Sequence, residues 1–274
     1  MKDYSIGFIG GGNMAASIIG GLIADGCPAG NITISEPVDE ARAGLAARFG
    51  VHTDTDNGVV ANQSDVLVLA VKPQIMQAVT LDLTNAVQAG KPLVVSIAAG
   101  IRSRDLERWL GGDIALVRCM PNTPALVQSG ATGLFANEKV SALQKQRAES
   151  ILRAVGLTLW LDDETQLDAV TALSGSGPAY IFYVIEAMEQ AGIKLGLDAP
   201  TARRLSVQTA FGASKLALES ADDPATLRER VTSPGGTTER ALDVLREGGL
   251  ETLFKEALKA ASDRAAELAD QLGN

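Results

Sequence analysis

The chain has 274 residues and a formal net charge of −9, with 46% hydrophobic and 4% aromatic residues, a balance that suits either one large domain or two smaller ones. The acidic excess, with no clustered Lys/Arg run, excludes the electrostatic footprint of a nucleic-acid binder, and no apolar stretch approaches the length of a membrane span. One histidine and two cysteines without motif spacing leave no metal-ligand set, so no metal is expected, and Cys27 and Cys119 read as small buried thiols in a reducing compartment.

The opening stretch, "YSIGFIG", predicts a strand so close to the start that no targeting segment precedes it, and a cytoplasmic protein is expected. The strand ends in Gly10-x-Gly12-x-x-Ala15 and opens a helix from Met14 to Ala24. Gly10 permits a tight turn, Gly12 lets a pyrophosphate approach the backbone, and Ala15 allows close helix packing. The helix N-terminus then faces the phosphate. "NITISE" predicts the second strand, whose terminal Glu36 completes a dinucleotide fingerprint. A carboxylate there favours ribose hydroxyls, whereas Ser35 and Arg42 offer a small phosphate site if Glu36 turns away. NADH and NADPH therefore both stay open.

A helix is expected from Asp39 to Phe49, and His52 starts a strand beside a loop as a surface or half-packed imidazole. "DVLVLAV", "PLVVSIA" and "IALVRCMP" are continuous apolar runs, the pattern of a parallel sheet covered on both faces. After the first of them, Pro73 forces Lys72 into an extended conformation, so the chain is expected to cross the sheet top without entering a helix directly. "SIAAGI", residues 96–101, ends the next strand with small residues that leave room for a flat ring. Each segment could be a plain loop; together at one sheet edge they suit a nicotinamide and its ribose. A helix is expected around Ser103–Leu110 and another from Ser141 to Val155, and "ATGLFA" and "LTLWL" extend the sheet in either direction.

From about Asp163 the strand signals stop. Ile181, Val184, Ile185 and Met188, then Leu205, Phe211 and Leu218, fall at helical spacing, and a last stripe runs from Leu253 to Leu272. These patterns predict a helical second domain of roughly four to six helices, with a ligand cleft expected between the domains. The division expected is 1–163, a dinucleotide-binding domain, and 164–274, a helical domain. "CMPNTPAL" ends a strand in a proline-flanked loop, and "LSGSGPAY" interrupts a helical pattern with two Ser-Gly pairs that open or tighten the helix. "VTSPGGTTERAL" runs through Gly235 and Gly236 into an amphipathic helix, with Thr237 or Thr238 expected as N-cap. Two readings fit that loop: a nest of backbone N–H groups for a small carboxylate, or a proline-glycine turn with ordinary capping.

"GFIGGGNMA", "AVKP", "MPNTPA", "LSGSGPAY" and above all "VTSPGGTT" resemble, in order, the motif set of the pyrroline-5-carboxylate reductase family. The likeness runs from about residue 5 to the end of the last helix. It implies an α/β Rossmann-type N-terminal domain followed by an all-α dimerisation domain, a homodimer assembled further into a ring of dimers, and reduction of a cyclic imine carboxylate by NADPH or NADH. Carried over by position, Ser233, Gly235, Gly236, Thr237 and Thr238 would hold the substrate, with the Thr238 hydroxyl against the ring nitrogen as the catalytic contact. Gly10, Gly11, Gly12, Asn13, Met14, Ser35, Asn57, Ala70, Val71, Lys72, Pro73, Ala98, Ala99 and Gly100 would line the cofactor site. A β-hydroxyacid dehydrogenase would need a catalytic lysine on the helix after "SGSG", where none occurs before Lys194. A dinucleotide sensor without turnover would have no use for the second glycine turn.

Overall fold

The structure, a computed structural model, describes residues 4–273. Strand β1 (Ile6–Ile9) leads into α1 (Asn13–Ala24), β2 (Ile32–Ser35) into α2 (Asp39–Phe49), and β3 (His52–Asp54) into α3 (Asn57–Asn62). The alternation continues through β4 (Val66–Leu69), α4 (Pro73–Gly90), β5 (Leu93–Ser96), α5 (Ser103–Trp109) and β6 (Leu116–Met120). Beyond it lie β7 (Gly130–Ala136), α6 (Ala142–Arg153) and β8 (Gly156–Trp160). All join one eight-stranded sheet in the order β3-β2-β1-β4-β5-β6-β7-β8. Only β7 runs antiparallel to a neighbour, β6, while β8 is parallel to β7. Strand order reverses between β1 and β4, which opens a crevice at their carboxyl ends.

Every residue of β1, β4 and β5 is buried, which is why these runs lack polar alternation. On one face Phe8, Ile34, Val68 and Val95 pack with Ile18, Ile19 and Leu22 of α1 and Ile151 and Leu152 of α6. On the other, Ile9, Leu67, Leu69 and Val94 pack with Met76, Leu83 and Val87 of α4 and Leu106 and Trp109 of α5. His52 is exposed at the start of β3, and Cys27 and Cys119 are buried free thiols.

Lys72 is extended, with ψ of 143°, but it is the N-cap of α4 and Pro73 is the first helical residue. The chain thus enters a helix directly, which corrects the expectation of a crossing loop. Proline's fixed φ and missing N–H suit the first helical position, where that donor has no partner anyway.

The remaining elements are helical: α7 (Gln166–Val170), a π-helical turn over Thr171–Gly175, α8 (Gly177–Lys194), α9 (Ala199–Glu219), α10 (Pro224–Arg230), α11 (Thr237–Glu247) and α12 (Leu250–Leu272). Asp198 and Asp223 cap α9 and α10 by accepting from the Thr201 and Thr226 amides, each at 3.0 Å, with Pro200 at the second and Pro224 at the first helical position. Packing divides the chain into two compact units. One runs to Ser176 and takes in the segment from Ala261; the other is Gly177–Ala260. This cut differs from the sequence division at 163/164 because residues 164–176, through Glu164 on Arg118 and Ser174 on Asn122, and the last turns of α12 both pack with the first unit. Leu272 joins the α4–α5 core, Arg102 pairs with Asp270 at 2.9 Å, and Arg108 donates to the Gly273 carbonyl. Within the second unit Phe182, Tyr183, Leu205, Phe211 and Leu218 are exposed, an unusual amount of apolar surface for two neighbouring helices.

Helix α1 sits close to the end of α6: a β-carbon added at Gly21 would lie 2.4 Å from the Ala154 carbonyl oxygen. Helix propensity alone favours alanine over glycine by about 1 kcal/mol. The overlap reverses that sign, and Gly21→Ala is expected to destabilise the protein by about 1–3 kcal/mol, read as a lower denaturant midpoint. An unchanged or higher midpoint would show that the two helices are not in this contact.

Candidate active site

The turn after β1 fixes the first half of the site. Gly10 has φ of 97°, in the left-handed region, and an added β-carbon there would lie 2.9 Å from the Ala70 carbonyl oxygen. Gly12 is the N-cap of α1, without a side-chain cap, and an added β-carbon at Gly12 would meet nothing within 4 Å. That open space beside a helix N-terminus fits a pyrophosphate. A cleft of about 310 Å³ lies here, lined by Gly10, Gly11, Gly12, Ser35, Glu36, Pro37, Asn57, Ala70, Val71, Lys72, Ile75 and Val79. The Ser35 hydroxyl donates to Asn57 Oδ1 at 2.6 Å, which ties the end of β2 to the first turn of α3. These residues fit a dinucleotide.

Of the expected cofactor residues, Gly10–Gly12, Ser35, Asn57 and Ala70–Lys72 come together in this cleft. Asn13 and Met14 form the first turn of α1, and Asn13 lines a separate recess with Ser17, Arg48 and Gln128. Pro73 begins α4. Ala98, Ala99 and Gly100 follow β5 outside the cleft lining, and Gly100, with φ of 71°, approaches Leu268, Ala269 and Leu272 of α12. Sequence reasoning missed Ile75 and Val79, which with Lys72 follow a helical spacing along α4; the reading of Pro73 as a helix-avoiding signal hid them. Gly11, expected in the site, also lies tight against α2: an added β-carbon there would lie 2.4 Å from Leu45 Cδ1.

Two further motifs meet in the first unit. Asn122, in the loop after β6, donates from Nδ2 to the Ser174 carbonyl at 3.1 Å and to its hydroxyl at 3.2 Å. Its Oδ1 accepts from the Ala131 amide at 2.8 Å. The Ser-Gly segment is opened into a π turn, with the Ser176 amide donating to the Thr171 carbonyl at 2.8 Å. Nearby, Arg118 of β6 is buried against Glu164, which also accepts from the Ser103 amide at 2.6 Å. Burial pushes the Cys119 thiol far above its ordinary range, with Arg118 opposing more weakly, so it offers no thiolate nucleophile.

The second glycine turn is exposed. Gly236, not a threonine, is the N-cap of α11, and Thr237 is already helical, which corrects the capping expectation. Glu239, another residue the sequence reading passed over, reaches back from the first turn so that its Oε2 accepts from the Gly235 amide at 2.7 Å. Glu239 stands at the third helical position and holds the amide of the residue just before the N-cap. The Gly236 amide donates to the Ser233 carbonyl at 3.0 Å. The amides and hydroxyls of Thr237 and Thr238 are left without partners among the described residues.

Comparison with known proteins places the chain. A family model described as pyrroline-5-carboxylate reductase dimerisation matches residues 164–268, and one described as NADP oxidoreductase, coenzyme F420-dependent, matches residues 5–100. The chain is 55% identical over 273 residues to the pyrroline-5-carboxylate reductase of Pseudomonas aeruginosa, covering 100% of both. It superposes on a solved pyrroline-5-carboxylate reductase from Coxiella burnetii with a TM-score of 0.94 at 48% identity, over 97% of this chain and 98% of that one. A Plasmodium falciparum pyrroline carboxylate reductase with NADP bound gives a TM-score of 0.86 at 27% identity, over 98% and 99% of the two chains.

The open space at Gly12 separates folding from binding. Gly12→Ala is expected to change stability by less than about 1 kcal/mol, since the added methyl meets no neighbour. The same methyl obstructs a pyrophosphate, and dinucleotide affinity is expected to fall by about tenfold or more. Thermal unfolding and a fluorescence titration check the two halves; equal affinities would move the phosphate site away from this turn.

Proposed function

The chain belongs to the pyrroline-5-carboxylate reductase family, and we propose how its two glycine turns divide that family's reaction between them. It is an oxidoreductase that reduces 1-pyrroline-5-carboxylate to L-proline with NAD(P)H, the last step of proline biosynthesis. What carries the division is a pairing of features. A dinucleotide-shaped cleft lies at the switch point of the sheet, and elsewhere in the chain an exposed helix entrance keeps two threonine amides and two hydroxyls unbonded.

When bound in the cleft, the reduced nicotinamide supplies a hydride to the imine carbon. Gly12 and the first turn of α1 take the pyrophosphate. Glu36, Ser35 and Asn57 lie where the adenosine ribose belongs, and Ala70–Pro73 with Ala98–Gly100 serve the nicotinamide side. The Thr237 and Thr238 amides, at the positive end of α11, bind the substrate carboxylate, while Ser233, Gly235 and Gly236 shape the turn beneath it. The Thr238 hydroxyl accepts a hydrogen bond from the protonated ring nitrogen. A protonated imine is already a competent hydride acceptor, so the protein's task is placement of two reactants rather than proton abstraction.

The family model matched to residues 164–268 is named for dimerisation, and the exposed apolar faces of α8 and α9 suit a second copy of this chain. The reading extends to rings of dimers and to a cytoplasmic site of action; no described helix is long and apolar enough to cross a membrane.

NADH and NADPH oxidation with racemic pyrroline-5-carboxylate, followed by absorbance, tests the reaction. Thr238→Ala is expected to lower kcat/KM by about ten- to a thousandfold, the size of one lost transition-state hydrogen bond, with NAD(P)H affinity unchanged. Wild-type turnover and substrate affinity in that variant would remove Thr238 from its role. A protein that binds NAD(P)H yet never oxidises it with this imine would return the sensor reading.

A further inference from the structure

A carboxylate and a guanidinium compete for the end of β2, and they select opposite cofactors. Glu36 suits the two free ribose hydroxyls of NADH; Arg42 would suit the 2′-phosphate of NADPH. The structure separates them. Glu36 lines the cleft, and both of its oxygens are fixed by backbone amides from different elements. Oε2 accepts from Gly11 at 3.0 Å and Oε1 from Val38 at 3.1 Å. Arg42 does not line the cleft. Its guanidinium donates to the Glu36 and Pro37 carbonyls at 2.8 and 3.1 Å and pairs with the Asp39 carboxylate. Lys72 is the one cationic residue among those lining the cleft.

We propose that Glu36 makes this chain selective for NADH over NADPH. The inference rests on the cleft being the dinucleotide site. Each carboxylate oxygen has lone-pair capacity beyond its amide bond, so the group can still accept from a ribose hydroxyl, and such a charge-assisted bond is short and strong. A 2′-phosphate at the same place brings about two further negative charges and only acceptor oxygens. Rotating Glu36 out of its way breaks two hydrogen bonds and strips the Gly11 amide of its acceptor. Recruiting Arg42 breaks its contacts to two carbonyls and to Asp39. Both adjustments are made for NADPH alone, which is how a difference in affinity arises.

The test is direct binding, without imine, so that it reads the nucleotide site and not the reaction. Full-length protein is titrated separately with NADH and NADPH by nicotinamide fluorescence at one fixed ionic strength. Wild type is expected to bind NADH about tenfold or more tightly than NADPH. Glu36→Gln keeps the shape and one acceptor but removes the charge; its ratio is expected to fall within about threefold, chiefly through tighter NADPH binding. Arg42→Ala is expected to leave the wild-type ratio in place. Glu36→Ser, read beside Glu36→Gln with thermal midpoints for both, keeps the experiment decisive if one variant folds poorly. NADPH binding as tight as NADH in wild type overturns the proposal. So does a preference for NADH that survives both Glu36 variants, or an Arg42→Ala protein that selectively loses NADPH. If neither nucleotide binds wild type, the cleft assignment itself fails, an outcome distinct from a wrong preference.

Discussion

At the carboxyl end of β1 the backbone passes so close to its neighbours that two successive residues have no room for a β-carbon. At Gly10 the obstacle is a carbonyl of the strand-end at Ala70; at Gly11 it is a methyl of Leu45 on α2. The remaining cofactor-side geometry follows from that approach. Because β1 and β4 finish together and then diverge, the turn hangs over the crevice between them. Because Gly11 lies tight against the end of β2, its amide is within reach of Glu36. A larger residue at Gly10 would press on backbone and lift the turn, whereas at Gly11 the tip of Leu45 would have to give way.

The central strands of the sheet were legible because β1, β4 and β5 are buried along their whole length: strands hidden on both faces are apolar at almost every position, and such runs can be read from composition alone. The Gly10–Ala15 spacing was legible for a similar reason, since a single geometry explains each small residue. What sequence could not supply is direction and distant partnership. Nothing in "ATGLFA" encodes that it runs against β6, because alternation and burial are blind to strand polarity. Pro73 carried a genuine restriction on Lys72, and the ψ of Lys72 obeys it, yet the same proline also begins a helix. At the second turn, threonines beside glycines suggested side-chain capping. Glu239 supplied the bond from within the helix instead, three residues beyond the Gly236 cap.

The helical half shows a different limit. Periodicity along α8 and α9 marks an apolar face, and the face is there, but its large side chains stand exposed within the chain. A stripe in the sequence declares that a surface wants cover; it does not name the cover. The family model matched over this region, named for dimerisation, supplies that missing partner.

The last turns of α12 belong to the unit that the first 176 residues build, although the whole helical unit intervenes in sequence. The order of synthesis therefore differs from the order of assembly. A nascent chain that has delivered its sheet and helices α1–α7 still lacks Leu272 against the α5 core and Asp270 against Arg102. The dinucleotide-binding unit must wait, partly unsealed, while residues 177–260 leave the ribosome. During that interval the loop at Gly100 has no α12 behind it. Translation speed through the helical segment thus sets how long an incomplete core beside α5 is open to the wrong partner.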